Sequence, residues 1–416
     1  MNLLIFEDEA WRNFKQLTYM RPVYRIFTPN GPLIGIILKN FRDVRVYTYA
    51  REYFARVEIE RNPLVKFNSS PEHDDEAVLI NGLARRPELV ASLAEKTGGR
   101  EFILLAKGRF LAARLKGEKV AGVEKPMDIL ERLAALIGTT ETLEAPPESI
   151  YQYPWEVFDD QQISMPSVKE VPQLDNRVAV LGDPANMSIP ASCEVEPFTV
   201  IDTRRGPVIL GEGVRVESGT KLIGPCVIGE NSIVYGGRVG PHLYTGPVCR
   251  ISAEIEHTIM YGYSNKHHYG YIGHSIIGEW VNIAAGTTTS NLKTTYGEIK
   301  VVLDGETVHT GRQFLGAVMG DHVRTMIDTS IMTGKLVGPF NVLSGVVAKN
   351  IPPFTGINFA REMYELKLES ELRVVERMMN RRGLRPSESY FELIRHLYEL
   401  TLPERQGHLG HRSDHP

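Results

Sequence analysis

Four histidines lie close together in the chain, at His257, His267, His268 and His274. Histidine changes its charge near neutral pH and is a common zinc ligand, so such a group suits either a general base or a metal site. A lone histidine is more often structural. The choice between these chemistries depends on the elements that position the four side chains.

Those elements follow a six-residue period. Reading every sixth residue from Leu210 gives only aliphatic side chains, at Leu210, Val216, Leu222, Ile228 and Val234. The residues two before each of them are small or β-branched: Val208, Val214, Thr220, Cys226 and Ser232. The register breaks near Gly240 to Tyr263, then resumes as Tyr271, Ile277 and Ile283 and later as Met319, Thr325, Ile331, Val337 and Leu343. This period predicts a β-helix whose aliphatic column fills the coil, whereas a sandwich of short strands would place turns every 8 to 12 residues.

The flanking regions have other patterns. Residues 1–177 mix short apolar runs with helix-like stretches such as Asp128 to Ile137, which predicts an α/β domain followed by an irregular linker from Pro154 to Val171. Residues 178–352 hold the repeats. Residues 353–402 predict helices from Tyr364 to Met379 and from Ser387 to Leu402. Residues 403–416 predict a disordered tail, in which His408, His411 and His415 make only a weak metal tract.

Composition excludes several classes of function. The chain has 416 residues, with 47 basic and 51 acidic side chains and a net charge of −4, so no overall basic field would attract nucleic acid or an anionic membrane. No run of about 18 apolar residues predicts a membrane span, and the acidic N-terminus does not resemble a signal peptide, which favours a cytoplasmic protein. Three widely spaced cysteines, Cys193, Cys226 and Cys249, predict small buried residues rather than a disulfide framework.

The segment from Gly262 to Lys293 carries a long motif that includes Asn-Lys-His-His-Tyr-Gly-Tyr-Ile-Gly and Asn-Ile-Ala-Ala-Gly-Thr-Thr-Thr-Ser-Asn. It resembles the acetyltransferase half of the bifunctional GlmU-type enzymes, and most closely a divergent branch described from Bacteroidetes-type genomes. That branch shares Leu-Thr-Tyr-x-Arg-Pro-Val (Leu17 to Val23), Tyr-Pro-Trp-(Asp/Glu)-x-Phe (Tyr153 to Phe158) and Met-Gly-Asp-His (Met319 to His322). The resemblance implies a nucleotidyltransferase-like α/β domain, a left-handed parallel β-helix and C-terminal helices.

The resemblance also implies a reaction, the acetylation of an amino sugar 1-phosphate by acetyl-CoA, with glucosamine-1-phosphate as the expected acceptor. An amine must be neutral to attack a thioester, so a base near pH 7 is useful, and the family's base corresponds to His268. Tyr271, Asn282 and Asn291 correspond to residues that bind the sugar phosphate. Lys266 is expected to hold the phosphate, and Arg250 is a weaker candidate that equally suits a surface arginine.

The acetyl donor is expected beside small residues. Backbone N–H groups around Ala285 and Gly286 correspond to the family's oxyanion-binding position, although small residues also suit a tight coil corner. Gly316 and Ala317 are further candidates for contacts to acetyl-CoA. Ala317 stands where the better-known branch often has serine, so one hydroxyl contact is expected to be missing.

The N-terminal domain departs from the family pattern. It lacks the Gly-x-Gly-(Thr/Ser)-Arg loop that wraps nucleotide phosphates. Arg21, Asn81 and Gly82 are the candidates for binding UTP or another nucleotide, and Leu83 stands where a magnesium-binding aspartate is expected. Asp159 and Asp160 could hold Mg²⁺ instead, although a solvated pair of acids is the simpler interpretation. The sequence therefore does not assign the metal ligands. It also leaves open whether the domain transfers a nucleotidyl group, and so whether the chain carries out both steps of UDP-N-acetylglucosamine biosynthesis.

Three alternatives remain. One is an acetyltransferase for another amino sugar or for a nucleotide-linked sugar, with a degenerate N-terminal domain. The second is a zinc-dependent protein like the γ-carbonic anhydrases, and the third is a non-catalytic sensor. Because a single coil exposes flat faces and related enzymes form sites between neighbours, a homotrimer is expected.

Overall fold

The computed structural model of the chain describes residues 1–72, 76–160, 174–360 and 362–409. They form two compact units, one made of Met1–Val157 with Ser387–His396 and the other of Phe158–Pro386 with the residues from 397 onward. Within these described ranges, no helix is long and apolar enough to cross a membrane.

The first unit is built on a mixed seven-stranded sheet. The strand Asn2–Phe6 is buried along its whole length and runs parallel to both neighbours, as its continuous apolar run requires. Across the sheet the strands are ordered Lys66–Phe67, Arg45–Tyr49, Asn2–Phe6, Ala77–Asn81, Arg109–Leu115, Phe102–Ala106 and Thr142–Glu144, with a separate hairpin of Phe27–Thr28 and Gly31–Pro32. The helices are α1 (Lys15–Thr18), α2 (Leu33–Lys39), α3 (Ala55–Arg61), α4 (Pro87–Lys96) and α5 (Pro126–Leu136). The α/β prediction is confirmed, and α5 is the helix expected from Asp128 to Ile137.

The second unit contains a left-handed parallel β-helix with three faces. The first face has the strands Ala179–Leu181, Val200–Asp202, Thr220–Ile223, Gly237–Val239, Glu254–Glu256, Tyr271–Gly273, Thr288–Thr289, Ser330–Ile331 and Val346–Val347. The second face has Met187–Ser188, Val208–Leu210, Cys226–Ile228, Leu243–Thr245, Thr258–Met260, Ile276–Ile277, Ala317–Met319 and Lys335–Val337. The third face has Glu194–Val195, Arg215–Val216, Ile233–Val234, Arg250–Ile251 and Asn265–Lys266, followed by Arg324–Thr325, Val342–Leu343, Thr355–Ile357 and Met363–Glu365. A hairpin of Lys300–Leu303 and Glu306–His309 is inserted between coils.

The aliphatic column predicted by the repeat is confirmed in the coil interior. Leu210, Val216, Leu222, Ile228 and Val234 are at most 2% exposed, and burial of such side chains is worth about 1.5–3 kcal/mol each. The prediction is wrong at Tyr271, which faces outward while Ile272 fills the interior. The interior residue Ile272 lies five residues before the interior residue Ile277, so the six-residue register that holds at Ile277 and Ile283 slips by one before Ile277.

The C-terminal elements differ from the expected helices at their edges. Helix α6 is Leu368–Asn380, whereas Tyr364 belongs to the antiparallel strand Met363–Glu365 and its ring lies on Gly356, where a Cβ would come within 2.2 Å. Helix α7 (Glu388–Leu400) agrees with the prediction.

Helix α8 (Leu402–Leu409) was not expected, because residues 403–416 were predicted to be disordered. Arg405 explains it: this arginine is 0% exposed and donates to Glu365, Thr401 and the Tyr398 carbonyl at 2.8–2.9 Å. His411, His415 and the side chain of His408 lie outside the described residues.

Two smaller predictions are refined. All three cysteines are free, but Cys193 is only partly buried, while burial raises the pKa of Cys226 and Cys249 to about 12. In the expected irregular linker, Pro154–Asp159 forms a short 3-10 helix, and residues 161–171 lie outside the described ranges.

Candidate active site

His268 lies at the corner where the chain passes from the third face to the first face. The strand Asn265–Lys266 ends there and Tyr271–Gly273 begins three residues after His268. The His268 side chain is exposed and its ring stacks on His267, with centroids 4.6 Å apart. The imidazole therefore faces solvent and is available to a bound molecule.

Lys266 has a different place from the one expected. It is 0% exposed, and its Nζ donates to the carbonyls of His268 at 2.5 Å, of Tyr269 at 2.6 Å and of Ala284 at 3.4 Å. Burial lowers the pKa of Lys266 to about 8. In this chain the ammonium therefore donates to backbone carbonyls at the His268 corner, and phosphate binding by Lys266 stays a prediction.

The small residues Ala285 and Gly286 form the equivalent corner of the next coil. Gly286 has φ +73° and donates its N–H to the Tyr269 carbonyl at 2.9 Å, so this N–H is already used. A Cβ on Gly286 would come within 1.9 Å of Asp328 Oδ1, which explains the glycine. Within the described part of the chain, the Ala285 N–H has no acceptor, so of the two it is the donor available to an oxyanion.

Tyr271 and Asn291 meet in a hydrogen-bonded network on the first face. Asn291 Nδ2 lies 2.7 Å from the Tyr271 hydroxyl and 2.9 Å from His274 Nδ1, and the Tyr271 hydroxyl donates to Glu256 Oε1 at 3.0 Å. Burial and the charge of Glu256 raise the pKa of Tyr271. The structure therefore brings together two of the expected acceptor residues, and adds Glu256 and His274.

Arg238 extends this network along the first face. Its Nη1 lies 3.2 Å from Glu254 and 3.1 Å from Glu256. Although burial raises the pKa of Glu256, hydrogen bonds from Arg238 and Tyr271 hold it below its ordinary value. Sequence reasoning missed Arg238 and Glu256. In the sequence they are marked only as polar residues next to an inward-facing aliphatic residue of a strand.

Asn282 and Arg250 lie on the third face, apart from Tyr271 and Asn291. Asn282 forms a parallel β-bridge with Asn265, and its Oδ1 accepts a hydrogen bond from Asn265 Nδ2 at 3.4 Å. Arg250 Nη1 donates to three backbone carbonyls at 3.1–3.4 Å, which matches a structural arginine. One chain therefore presents the expected acceptor residues on two faces that meet at the His268 corner.

Gly316 and Ala317 are closely packed in the coil of this chain. Ala317 is 0% exposed in the interior column, and its N–H donates to Ser275 Oγ at 3.1 Å. Gly316 donates to the His274 carbonyl at 2.7 Å and packs so closely that a Cβ would lie 2.2 Å from the Gly273 carbonyl. Both residues therefore contribute to coil packing, and their contact with acetyl-CoA stays a prediction.

Three histidines form a stack at the corner between the first and second faces. The ring centroids of His242 and His257 are 4.6 Å apart, and those of His257 and His274 are 4.4 Å apart and parallel within 4°. Face-to-face rings do not point their nitrogens at a common centre. Of the residues that the structure describes, no three histidine, cysteine or acidic side chains are grouped as metal ligands, so the zinc alternative gains no support.

The candidate nucleotide residues of the N-terminal unit are packing residues. Arg21 is 4% exposed and donates to the Leu17 carbonyl. Asn81 is 0% exposed and donates to Asp8 and to the Phe110 carbonyl, while a Cβ on Gly82 would lie 2.9 Å from Val23. The three residues are therefore closely packed in this chain, and their contact with a nucleotide stays a prediction.

Two of the acidic side chains that the structure describes near the candidate magnesium position are held by arginines. Arg109 pairs with Asp8 through two hydrogen bonds of 2.9 Å, and Arg312 holds Asp159 at 2.7 Å. Leu83 is fully buried and offers no oxygen. Magnesium binding by the N-terminal domain stays a prediction, with its ligands open.

Known proteins resemble part of this chain. No family model matches it. The bifunctional sugar-1-phosphate nucleotidylyltransferase/acetyltransferase of Sulfurisphaera tokodaii is 35% identical over 144 residues, which is 33% of this chain and 35% of that protein. The bifunctional protein GlmU of Heliobacterium modesticaldum is 29% identical over 147 residues, 31% of each chain, and that of Rippkaea orientalis is 32% identical over 130 residues, 26% of this chain and 29% of that protein. The chain thus spans about a third of the length of these relatives.

Solved structures show weaker likeness. The UDP-N-acetylglucosamine O-acyltransferase of Moraxella catarrhalis is 15% identical, with a TM-score of 0.28 over 55% of this chain and 92% of that chain. Such a likeness has no bearing on acceptor or reaction.

The curated relatives match the C-terminal acetyltransferase region. Over the segment that it shares with them, the chain is similar to GlmU-like sugar-1-phosphate nucleotidylyltransferase/acetyltransferase proteins.

Proposed function

We propose that the protein transfers an acetyl group from acetyl-CoA to the amine of an amino sugar that carries a phosphate at its anomeric carbon, of which glucosamine-1-phosphate is the simplest. The observation that carries this proposal is the exposed imidazole of His268 beside the ordered network of Tyr271, Asn291 and Glu256. An imidazole is a suitable base for an ammonium group, and a hydroxyl, an amide and a carboxylate suit a sugar. The similarity to the bifunctional nucleotidylyltransferase/acetyltransferase of Sulfurisphaera tokodaii supports the same reaction.

The chemistry follows from these groups. His268 accepts a proton from the acceptor ammonium, and the neutral amine attacks the thioester carbon. The Ala285 N–H is the donor for the oxyanion that forms. The C–S bond then breaks, the nitrogen gives up its second proton as the amide forms, and the thiolate of CoA leaves and takes up that proton, while His268 returns the first proton to solvent.

The test is an acceptor screen that measures thiol release from acetyl-CoA. We expect turnover with an amino sugar phosphate and a loss of at least about 100-fold in His268→Gln, with an unchanged melting temperature because the side chain is exposed. His309→Gln is the matched control, since His309 is an exposed histidine on the inserted hairpin. Full turnover in His268→Gln would show that the proton leaves by another route.

We propose further that the active assembly is a homotrimer whose sites combine the first face of one chain with the third face of another. The division of Tyr271 and Asn282 between two faces supports this. Light scattering should give three times the 46.7 kDa chain mass. Mixing the inactive variants His268→Gln and Asn282→Ala under subunit exchange should restore part of the activity, because some shared sites then carry both native residues. A monomer, or no restoration after proven exchange, would contradict shared sites.

For the N-terminal unit we infer a nucleotidyltransferase-like domain without nucleotidyl transfer. The buried positions of Arg21 and Asn81 and the ion pair of Asp8 with Arg109 support this inference. The test is pyrophosphate release from UTP and N-acetylglucosamine-1-phosphate with Mg²⁺, and we expect none. Turnover that depends on Mg²⁺ would refute it.

A further inference from the structure

A basic groove lies on the first face beside the Tyr271 network. It has a volume of about 380 Å³, within the range of small-molecule sites. Its lining residues are Asp202, Arg204, Arg205, Lys221, Ile223 and Arg238. Arg238 belongs both to this groove and to the network of Glu256 and Tyr271, so the two are continuous.

The groove carries an excess of positive charge. Four of its six lining residues are cations. Arg204 pairs with Asp202, and Arg238 pairs with Glu254 and Glu256, so the excess charge comes from Arg205 and Lys221. Asp202 is held by Arg204 at 2.7 and 2.9 Å, and that pairing is the main cause that lowers the pKa of Asp202 to about 2. Within the described ranges, neither Arg205 nor Lys221 forms an ion pair. A concave surface with unpaired cations favours a polyanion.

The groove and the acceptor site share one line of side chains. Lys221 lies opposite Arg238, Arg238 opposite Glu254, and Glu254 opposite Tyr271 on consecutive parallel strands. Adjacent strands are about 4.8 Å apart, which places the Arg238 strand about 10 Å and the Lys221 strand about 14 Å from the Tyr271 strand. A sugar at Tyr271 with one phosphate ester reaches toward Arg238, whereas contact with Lys221 and Arg205 requires a longer anion.

We propose that this groove binds the diphosphate of a nucleoside-diphosphate-linked amino sugar, so that the acceptor is a sugar nucleotide and not a sugar 1-phosphate. The sugar lies at Tyr271, and the two phosphates follow the line from Arg238 to Lys221 and Arg205. The identity of the acceptor rests on the acetyl transfer proposed above, whereas diphosphate binding does not.

Binding is tested first, with UDP as the probe in calorimetry on the full chain. We expect saturable binding that weakens at least 10-fold in Lys221→Gln/Arg205→Gln and is unchanged in Lys300→Gln, an exposed lysine on the hairpin. Melting temperatures of all variants check folding. No UDP binding by the native chain, or equal binding by the double variant, would overturn the assignment of the groove.

Turnover is tested second, by thiol release with UDP-glucosamine and with glucosamine-1-phosphate. We expect a higher kcat/KM for the nucleotide-linked sugar, and a drop of at least 10-fold in the double variant for that substrate alone. A higher kcat/KM for the 1-phosphate, unaffected by the double variant, would overturn the acceptor assignment. UDP binding that depends on Lys221 and Arg205, without thiol release from any acceptor, would support the groove and refute acetyl transfer.

Discussion

The side-chain amide of Asn291 donates to the Tyr271 hydroxyl at 2.7 Å, and that hydroxyl in turn donates to Glu256 at 3.0 Å. One phenolic oxygen therefore orders two polar groups that face the proposed acceptor. Such an oxygen is costly to remove, because both partners lose a hydrogen bond worth about 1 kcal/mol each.

Tyr271→Phe should therefore raise KM for the acceptor about 10-fold or more while KM for acetyl-CoA stays unchanged. Steady-state kinetics with each substrate varied in turn will measure both constants. Tyr296→Phe, at an exposed tyrosine, is the control. An equal effect of Tyr271→Phe on both constants would point to a general disturbance of the corner instead.

Lys266→Met should lower the free energy of unfolding by about 2–4 kcal/mol, because the carbonyls of His268, Tyr269 and Ala284 lose their donor in a buried place. Urea unfolding followed by circular dichroism will measure the loss. Lys300→Met, at an exposed position, should change stability by less than about 0.5 kcal/mol. A stable Lys266→Met chain with native activity would contradict the role of this ammonium in shaping the corner.

Gly286→Ala should destabilise the coil by more than Gly311→Ala. Both glycines have a left-handed backbone, with φ of +73° and +67°, but only Gly286 would drive a Cβ into Asp328, whereas nothing lies within 4 Å at Gly311. The double variant Gly286→Ala/Asp328→Ala should recover part of the loss, since the steric cost disappears and the backbone cost remains. Equal melting temperatures for the two alanine variants would argue against the contact.

Stability should fall as pH is lowered from about 6.5 to 4. Burial, with the charge of His257, lowers the pKa of both His242 and His274 to about 4. At His274 the charge of Glu256 opposes this lowering of the pKa, and the charge of Arg312 adds to it. An unfolded histidine has a pKa of about 6.5, so in this window the unfolded chain binds more protons than the folded chain. The melting temperature measured from pH 7.5 to 4.5 should drop less in His242→Gln/His274→Gln than in the native chain or in His309→Gln. Parallel curves for all three proteins would contradict this.

The coil could be predicted because a hexapeptide repeat is local: each inward side chain stacks on its equivalents one coil away. Tyr271 was misplaced because the step from Ile272 to Ile277 is one residue shorter than a hexapeptide, and nothing in the sequence marks which corner is shortened. Helix α8 was missed because it depends on one distant pair, Arg405 with Glu365, and not on local pattern.

The candidate site could be predicted only in part. His268 and the pair Tyr271 and Asn291 sit within one long motif, so the resemblance reached them directly. Lys266 sits in the same motif, but a two-residue strand does not reveal whether its ammonium faces solvent or carbonyls. Arg238 and Glu256 lie on earlier coils, and only the register of parallel strands brings them to Tyr271.

The strand Met363–Glu365 runs antiparallel to Thr355–Ile357 at the end of the third face, and Arg405 of α8 holds its last residue. A parallel coil without such an end would offer unpaired backbone groups to another molecule of the same kind. Recombinant chains cut before residue 405 should therefore be prone to self-association into elongated aggregates, and a fusion partner is better attached beyond α8 than in place of it.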